Sequence, residues 1–294
     1  MATPLSADKL LRALRNEGLH VVEHRNWRTH NRNHKGPWGP VHGVMIHHTV
    51  TSGTQSSVDL CYNGYSGLPG PLCHGVIAKD GTVHLVGHGR ANHAGLGDDE
   101  VLRAVINETA LPADNEANTD GNRFFYGFEC INLGDGKDPW PAAQLAAVEK
   151  AAAAICRAHG WNQRSVIGHK EWQPGKIDPR GFTMDSMRSR VKTRLGGKPE
   201  GPSKPPAPEP PAKYQPFPGA AFFRVGRRSA VVTAMGRRLV SEGCGKYEVG
   251  PGPDWSEADR KSYAAWQRKL GYSGSDADGI PGRTSWDRLR VPHV

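Results

Sequence analysis

No apolar run in the 294-residue chain approaches the roughly 18 residues that a spanning helix needs, so a spanning helix is excluded. Cysteine is scarce. Its five copies are an odd number and none forms a CxxC pair, which removes a zinc ribbon and a thioredoxin-type redox site. Acidic residues are in deficit: 29 Asp and Glu against 38 Lys and Arg leave a net charge of +9. That balance points to a polyanionic partner, whether nucleic acid, an anionic membrane or an acidic cell wall. No Arg-rich helix, zinc finger or aromatic RNA-binding signature supports the nucleic-acid choice. The first twenty residues lack the apolar stretch of a secretory signal, because Asp8, Lys9, Arg12 and Arg15 interrupt it. Synthesis in a cytosol is therefore expected, with release depending on something else. What the chain does have is eight Trp, enough apolar residues for a core, and fourteen His, which suggest a metal or acid–base site.

Between Gly196 and Pro218 the sequence is rich in Pro and almost free of aliphatic side chains, the composition of an extended linker. It divides the chain into a large domain over residues 1–197, a linker over 198–215 and a small domain over 216–294. In the large domain, Ser6 is placed to cap a helix with Leu10, Leu11 and Leu14 on one face and Gly18 at its end. Strands are expected at Val41–Val50 and Phe124–Leu133. His74–Ile77 and Thr82–Val86 flank the turn Lys79-Asp80-Gly81 as a hairpin. Helices are expected over Trp140–His159, with Pro141 in its first turn, and over Thr183–Leu195. This is an α/β class, a mixed central β-sheet flanked by helices. The small domain reads as mostly helical, over Ser229–Glu242, from Ser256 with a capping box to Asp259, and around Trp286.

Three segments can carry chemistry: Ile46-His47-His48-Thr49, Gly127-Phe128-Glu129-Cys130, and the stretch from Gly168-His169 to Asp178-Pro179. Strand neighbours point to opposite faces, so only one of His47 and His48 can enter a given site. Two His and one Asp from separate segments can supply three zinc ligands and leave a fourth position open. Each segment alone is weak evidence. A His pair is more often structural than metal-binding, and a strand Glu more often faces a cation.

The order of the segments is more specific. VMIHHT, CHGVIAKDGTVHLV, ANHAG, YGFECIN and GHKEWQPGKIDP resemble, in that order over residues 41–195, the zinc-dependent N-acetylmuramoyl-L-alanine amidases, the fold shared by phage lysins and peptidoglycan-recognition proteins. The resemblance implies Zn2+ as cofactor, with His47, His169 and Asp178 as ligands. It implies Glu129 as proton carrier, Lys176 as oxyanion stabiliser, and Asn92 and His93 lining a substrate groove. Some members place a Tyr where Cys73 stands here. A thiol is too weak a donor to replace it, which leaves Glu129 to carry the proton. The C-terminal stretch YAAWQRKLGYSGSDADGIPGRTSWDRL resembles a peptidoglycan-binding domain, with Trp266 and Trp286 as candidate wall contacts. Residues 216–294 hold 13 Lys and Arg against 8 Asp and Glu, +5 of the total charge.

The resemblance implies a monomeric phage endolysin acting on bacterial peptidoglycan, without nucleic acid or membrane insertion, released by a separate holin. A non-catalytic recognition protein and a zinc peptidase cutting within the stem peptide are the rival readings. The remaining candidates have plainer roles. His48, His84 and His88 read as structural, His30 and His34 as solvated, and Glu171 as a surface acid. Cys61 and Cys73 are either a disulfide or two thiols, and Cys130, Cys156 and Cys244 read as small core residues.

Overall fold

The computed structural model describes residues 2–202 and 214–294, and most of the expected linker over 198–215 lies outside them. The chain divides into two compact units, Met1–Pro205 and Pro206–Val294. Residues that composition assigns to the linker attach to both. Glu200 pairs with Lys150 and Arg194, and the Gly201 amide bonds the Asn16 carbonyl, all within the first unit. Gln215 bonds Val291 within the second.

The first unit is built on a six-stranded mixed sheet. Its strands are β1 (Val21–Glu23), β2 (Gly43–His48), β3 (Gly75–Ile77), β4 (Val83–Leu85), β5 (Phe125–Cys130) and β6 (Val166–Gly168). The spatial order is β1-β4-β3-β5-β2-β6. Only the β3–β4 hairpin is antiparallel. In its turn the Asp80 carboxylate accepts from the Thr82 amide and Gly81 takes a positive φ of 88°, which suits glycine. β2 and β5 are shorter than the apolar runs suggest, ending at His48 and Cys130.

One face of the sheet is covered by α1 (Ala7–Asn16), α4 (Ala142–His159) and α5 (Met184–Gly196). Val44 and Ile46 of β2, with Tyr126 and Phe128 of β5, meet Leu10, Leu14, Val148, Ala152, Ile155, Met187 and Val191 there. Ser6 caps α1 through the Lys9 amide, though α1 ends at Asn16, short of Gly18. Pro141 precedes α4 as its cap residue and stands outside the first turn. The small residues of α4, Ala151 to Ala154, let it lie close to the sheet, and the buried Gln144 amide bonds the Ile77 and Ile131 carbonyls. The opposite face carries Met45, Phe125 and Ile167, packed by Trp172 and by α3 (Asp99–Ile106). Flanking the site is α2 (Thr54–Asn63), whose Val58 and Cys61 meet Cys73 and Val76. The sequence reading did not find α2 and α3. The cap position of α2 is Gly53, with no side-chain bond to mark it, and α3 is only eight residues long.

In the second unit, α6 (Ala230–Ser241), α7 (Glu257–Lys269) and α8 (Arg283–Leu289) enclose a core of Phe223, Met235, Leu239, Trp255, Tyr263, Trp266, Trp286 and Leu289. The Ser256–Asp259 capping box opens α7 as expected. Trp266 and Trp286 correct the expectation that they touch the wall. They are 5% and 1% exposed, and their ring N–H groups donate to the Ser285 and Gln215 carbonyls. Indoles held at both ends in this way pack the core and are not presented to a polymer. All five cysteines are free thiols and buried, Cys61 and Cys73 among them. Among the described residues, no helix is long and apolar enough to cross a membrane.

Candidate metal centre and active site

The register of β2 on β5 sets the site. His47 pairs with Glu129, and Met45 with Gly127, so these side chains project to one face. His48 points the other way, where its Nδ1 accepts from the Arg180 amide. His169 follows β6 and opens a 3-10 turn over His169–Glu171. Glu171, expected to be a surface acid, holds this turn. It accepts from the Gly168 amide at 3.0 Å and is clamped by both terminal nitrogens of Arg188 at 2.9 Å. The loop closes where the Lys170 amide donates to the Asp178 carbonyl at 2.7 Å, returning Asp178 to the side of His169.

Three ligand atoms converge there. His47 Nδ1 lies 3.1 Å from His169 Nδ1 and 3.0 Å from Asp178 Oδ2, and His169 Nδ1 lies 3.1 Å from the same oxygen. Donors around a tetrahedral zinc at about 2.0–2.1 Å stand roughly 3.3–3.4 Å apart, so the triangle fits such an ion with slight contraction. Among the described residues, this is the one cluster of three or more His, Cys, Asp or Glu side chains able to hold a metal. Burial pushes the His47 ring down to about 4, against the pull of the Asp178 carboxylate, so it is neutral and has a lone pair to give near pH 7. Burial works to raise the Asp178 carboxyl, but the neighbouring His169 and His47 rings hold it well below the usual carboxylate range.

Glu129 stands at the edge of the triangle and supplies none of its atoms. Its residue is partly open to the cleft, but its Oε2 is buried without a hydrogen-bond partner. Burial pushes its carboxyl up to about 8. The Asp178 charge adds to this, and the Lys176 ammonium opposes it. Lys176 is exposed on the cleft wall. The cleft is about 360 Å³, with Glu129, Lys176 and the ligand set on one side and Leu60, Tyr65, Leu68 and Leu72 on another. Exposed Val50, Tyr65 and Ile177 give it an apolar rim. A larger cleft of about 740 Å³, lined by Arg164, Lys170 and Arg188, holds none of the triangle.

Asn92 borders the cleft, with its backbone amide fixed to the Pro71 carbonyl. His93 lines the same cleft but is mostly buried, 8% exposed, and its Nδ1 lies 3.1 Å from His47 Nε2. Burial first, and then the neighbouring His47, His74 and His169, push its ring well below the usual histidine range. His74 is structural. Its Nε2 donates to the Gly89 carbonyl and its Nδ1 accepts from the Gly127 amide. Trp172 also went unread in the sequence. Fully buried, it donates to the Ala94 carbonyl at 3.0 Å and packs so closely on Gly97 that a Cβ there would lie 2.2 Å from its ring. It ties the His169 turn to the Asn92–Gly95 loop.

Residues 37–181 match the family described as N-acetylmuramoyl-L-alanine amidase. No protein of curated function matches the chain. Solved structures similar to the chain include the endolysin N-acetylmuramoyl-L-alanine amidase LysCS of Clostridium intestinale, at 15% identity, covering 59% of this chain and 96% of that one with a TM-score of 0.39. A mutant endolysin from Bacillus subtilis shares 18% identity over 59% of this chain and 99% of that one, TM-score 0.41. The Staphylococcus aureus hydrolase AmiA shares 12% over 66% and 93%, TM-score 0.42. The match to the N-acetylmuramoyl-L-alanine amidase family over residues 37–181 takes in β2 to β6 and the site built on them, and leaves β1 and the second unit outside it.

Proposed function

We propose that the chain is a zinc-dependent peptidoglycan hydrolase of the endolysin type, cutting the amide between N-acetylmuramic acid and L-alanine. The observation that carries this is the triangle of His47 Nδ1, His169 Nδ1 and Asp178 Oδ2 with Glu129 at its edge. Two neutral imidazoles and a carboxylate suit a zinc ion and leave it one positive charge. A bound zinc ion supplies Lewis acidity, lowering the pKa of water towards about 7 and polarising the scissile carbonyl.

The chain's own groups supply the rest. Glu129 takes the proton from the attacking water and returns it to the departing alanine nitrogen, a role worth about 10²–10⁴ in rate. Its buried, unpartnered oxygen leaves it free to do so. The Lys176 ammonium faces the charge that develops on the carbonyl oxygen. The apolar rim of Val50, Tyr65 and Ile177 suits the sugar ring face and the lactyl methyl group, and Asn92 offers its amide to the glycan or stem. The cluster of ligand and proton carrier favours catalysis over recognition alone.

The unit Pro206–Val294 is proposed to hold the enzyme on the wall. Because its tryptophans are core, the contact falls to exposed groups, such as those of the roughly 350 Å³ groove lined by Tyr272, Asp276, Asp278 and Arg283. The test of the catalytic reading is removal of metal by chelation, followed by a wall-clearing assay. Loss of lysis with recovery on adding zinc is expected. Full lysis by metal-free protein would overturn it.

A further inference from the structure

His93 donates and accepts along a fixed line. Its Nε2 lies 3.3 Å from the Phe125 carbonyl, which can only accept, so Nε2 carries the hydrogen and Nδ1 presents a lone pair. That lone pair faces His47 Nε2 at 3.1 Å, so His47 must donate from Nε2 and keep its own Nδ1 bare. The bare Nδ1 is the atom that points at His169 and Asp178. We infer that His93 is a positioning residue that fixes the tautomer and ring orientation of His47, through the chain Phe125 carbonyl, His93, His47, so that His47 Nδ1 is delivered to the metal.

The surroundings hold the His93 ring for this task. Asn122 Oδ1 accepts from both the His93 and Ala94 amides, at 2.8 and 2.9 Å, and fixes the backbone of the loop. Gly127 provides the slot: a Cβ there would lie 2.5 Å from His93 Nδ1 and 2.6 Å from its Cγ. On the face of β5 that carries Phe125 and Glu129, the missing side chain at position 127 is replaced by the imidazole of His93. With His47 in the Nε2–H form, no proton separates its Nδ1 from the Asp178 carboxylate. Two electron-rich atoms, His47 Nδ1 and Asp178 Oδ2, then face each other at 3.0 Å, an arrangement that a cation relieves. Partners of this kind commonly change metal affinity by about 10–100-fold when removed.

The inference rests on the metal reading, and the experiment separates the two. Zinc affinity is measured on the full chain by competition with a chromogenic chelator, for wild type, His93→Leu, His93→Asn and Gly127→Ala. The Asn oxygen can stand where Nδ1 stood and accept from His47, whereas Leu cannot. His93→Leu and Gly127→Ala are expected to bind zinc about tenfold or more weakly, and His93→Asn to recover most of the loss. In zinc-loaded wild type labelled with 15N-histidine, His47 is expected to carry its proton on Nε2 and to show Nδ1 bound to metal. This spectrum decides the matter even if a variant fails to fold. Wild-type affinity in His93→Leu, equal losses in Asn and Leu, or zinc on His47 Nε2 would each overturn the role of His93 alone. Wild-type protein that takes up no zinc would overturn the metal reading with it.

Discussion

His47 and Glu129 are register partners across β2 and β5, so the proposed metal ligand and the proposed proton carrier share one sheet face without either depending on a loop. Only the ligand belongs to the triangle. Glu129→Gln keeps the shape and removes the base. We expect it to retain zinc and fold, and to lose at least about a hundredfold in kcat. Turnover near wild type, measured on a soluble muropeptide, would place the base elsewhere.

The same substitution has a pH signature in the metal-free protein. Glu129 ordinarily titrates at 4.5 and is pushed up to about 8 in the fold. Below 4.5 folded and unfolded chains both hold the proton. Between 4.5 and 8 only the unfolded chain releases it, so stability falls as pH rises through this window. Glu129→Gln removes that loss. Metal-free variant and wild type should unfold alike in urea near pH 4, and near pH 8 the variant should be more stable by several kcal/mol, the gap between 4.5 and about 8 at ~1.4 kcal/mol per pKa unit. Bound metal, a nearby positive charge, should shrink the difference. A gap that does not change with pH would mean that the carboxyl is not held in this way.

The sheet and the segments that bring His47, His169 and Asp178 together were legible in the sequence because their signals are local. β-branched runs, the Asp80-Gly81 turn, the caps at Ser6 and Ser256, and the order of the His, Glu and Asp segments all lie within short windows. What stayed hidden depends on meetings between distant segments. Glu171 looks like a surface acid until Arg188, seventeen residues on, clamps it. His93 lines the groove as read, but its contact with His47 emerges only where Gly127, on another strand, makes room for its ring. Trp266 and Trp286 show helical spacing, which fits a core stripe as well as a binding face. Their carbonyl partners, one of them at Gln215 far along the chain, settle which it is.

Trp172 gives a test of the frame around the site. It joins the His169 turn to Ala94, and both Gly97 and Gly121 lie against it. Trp172→Ala should destabilise the first unit by about 3–5 kcal/mol, the range for truncating a buried Trp or Phe. Zinc affinity should fall as well, because the turn that carries His169 loses its anchor. Urea unfolding with a metal titration checks both. Unchanged affinity would show that the turn is held by Glu171 and Arg188 alone.

The two units lead to a prediction about fragments. Residues 1–202 should fold and cut soluble muropeptides at close to the full-chain rate, and should clear intact walls more slowly. Residues 214–294 should sediment with purified walls and cut nothing. A small fragment that stays in the supernatant would refute the wall-holding role. In that fragment Trp286→Ala should cost stability before it costs binding, because its ring lies in the core.

The most direct measurement identifies the bond that is cut. An amidase frees the amino group of L-alanine and leaves the lactyl carboxylate on the sugar. A glycosidase creates reducing ends, using two carboxylates that flank the sugar bond. Among the described residues lining the cleft, the other carboxylate is Asp178, whose Oδ2 belongs to the proposed metal triangle. An endopeptidase also frees amines, but from later residues. Purified walls are digested, new N-termini are labelled and identified, and reducing sugar is assayed in parallel. We expect labelled alanine, intact glycan strands and whole stem peptides. New reducing ends, or N-termini only from inside the stem or cross-bridge, would contradict the amidase reading even in a protein that binds zinc.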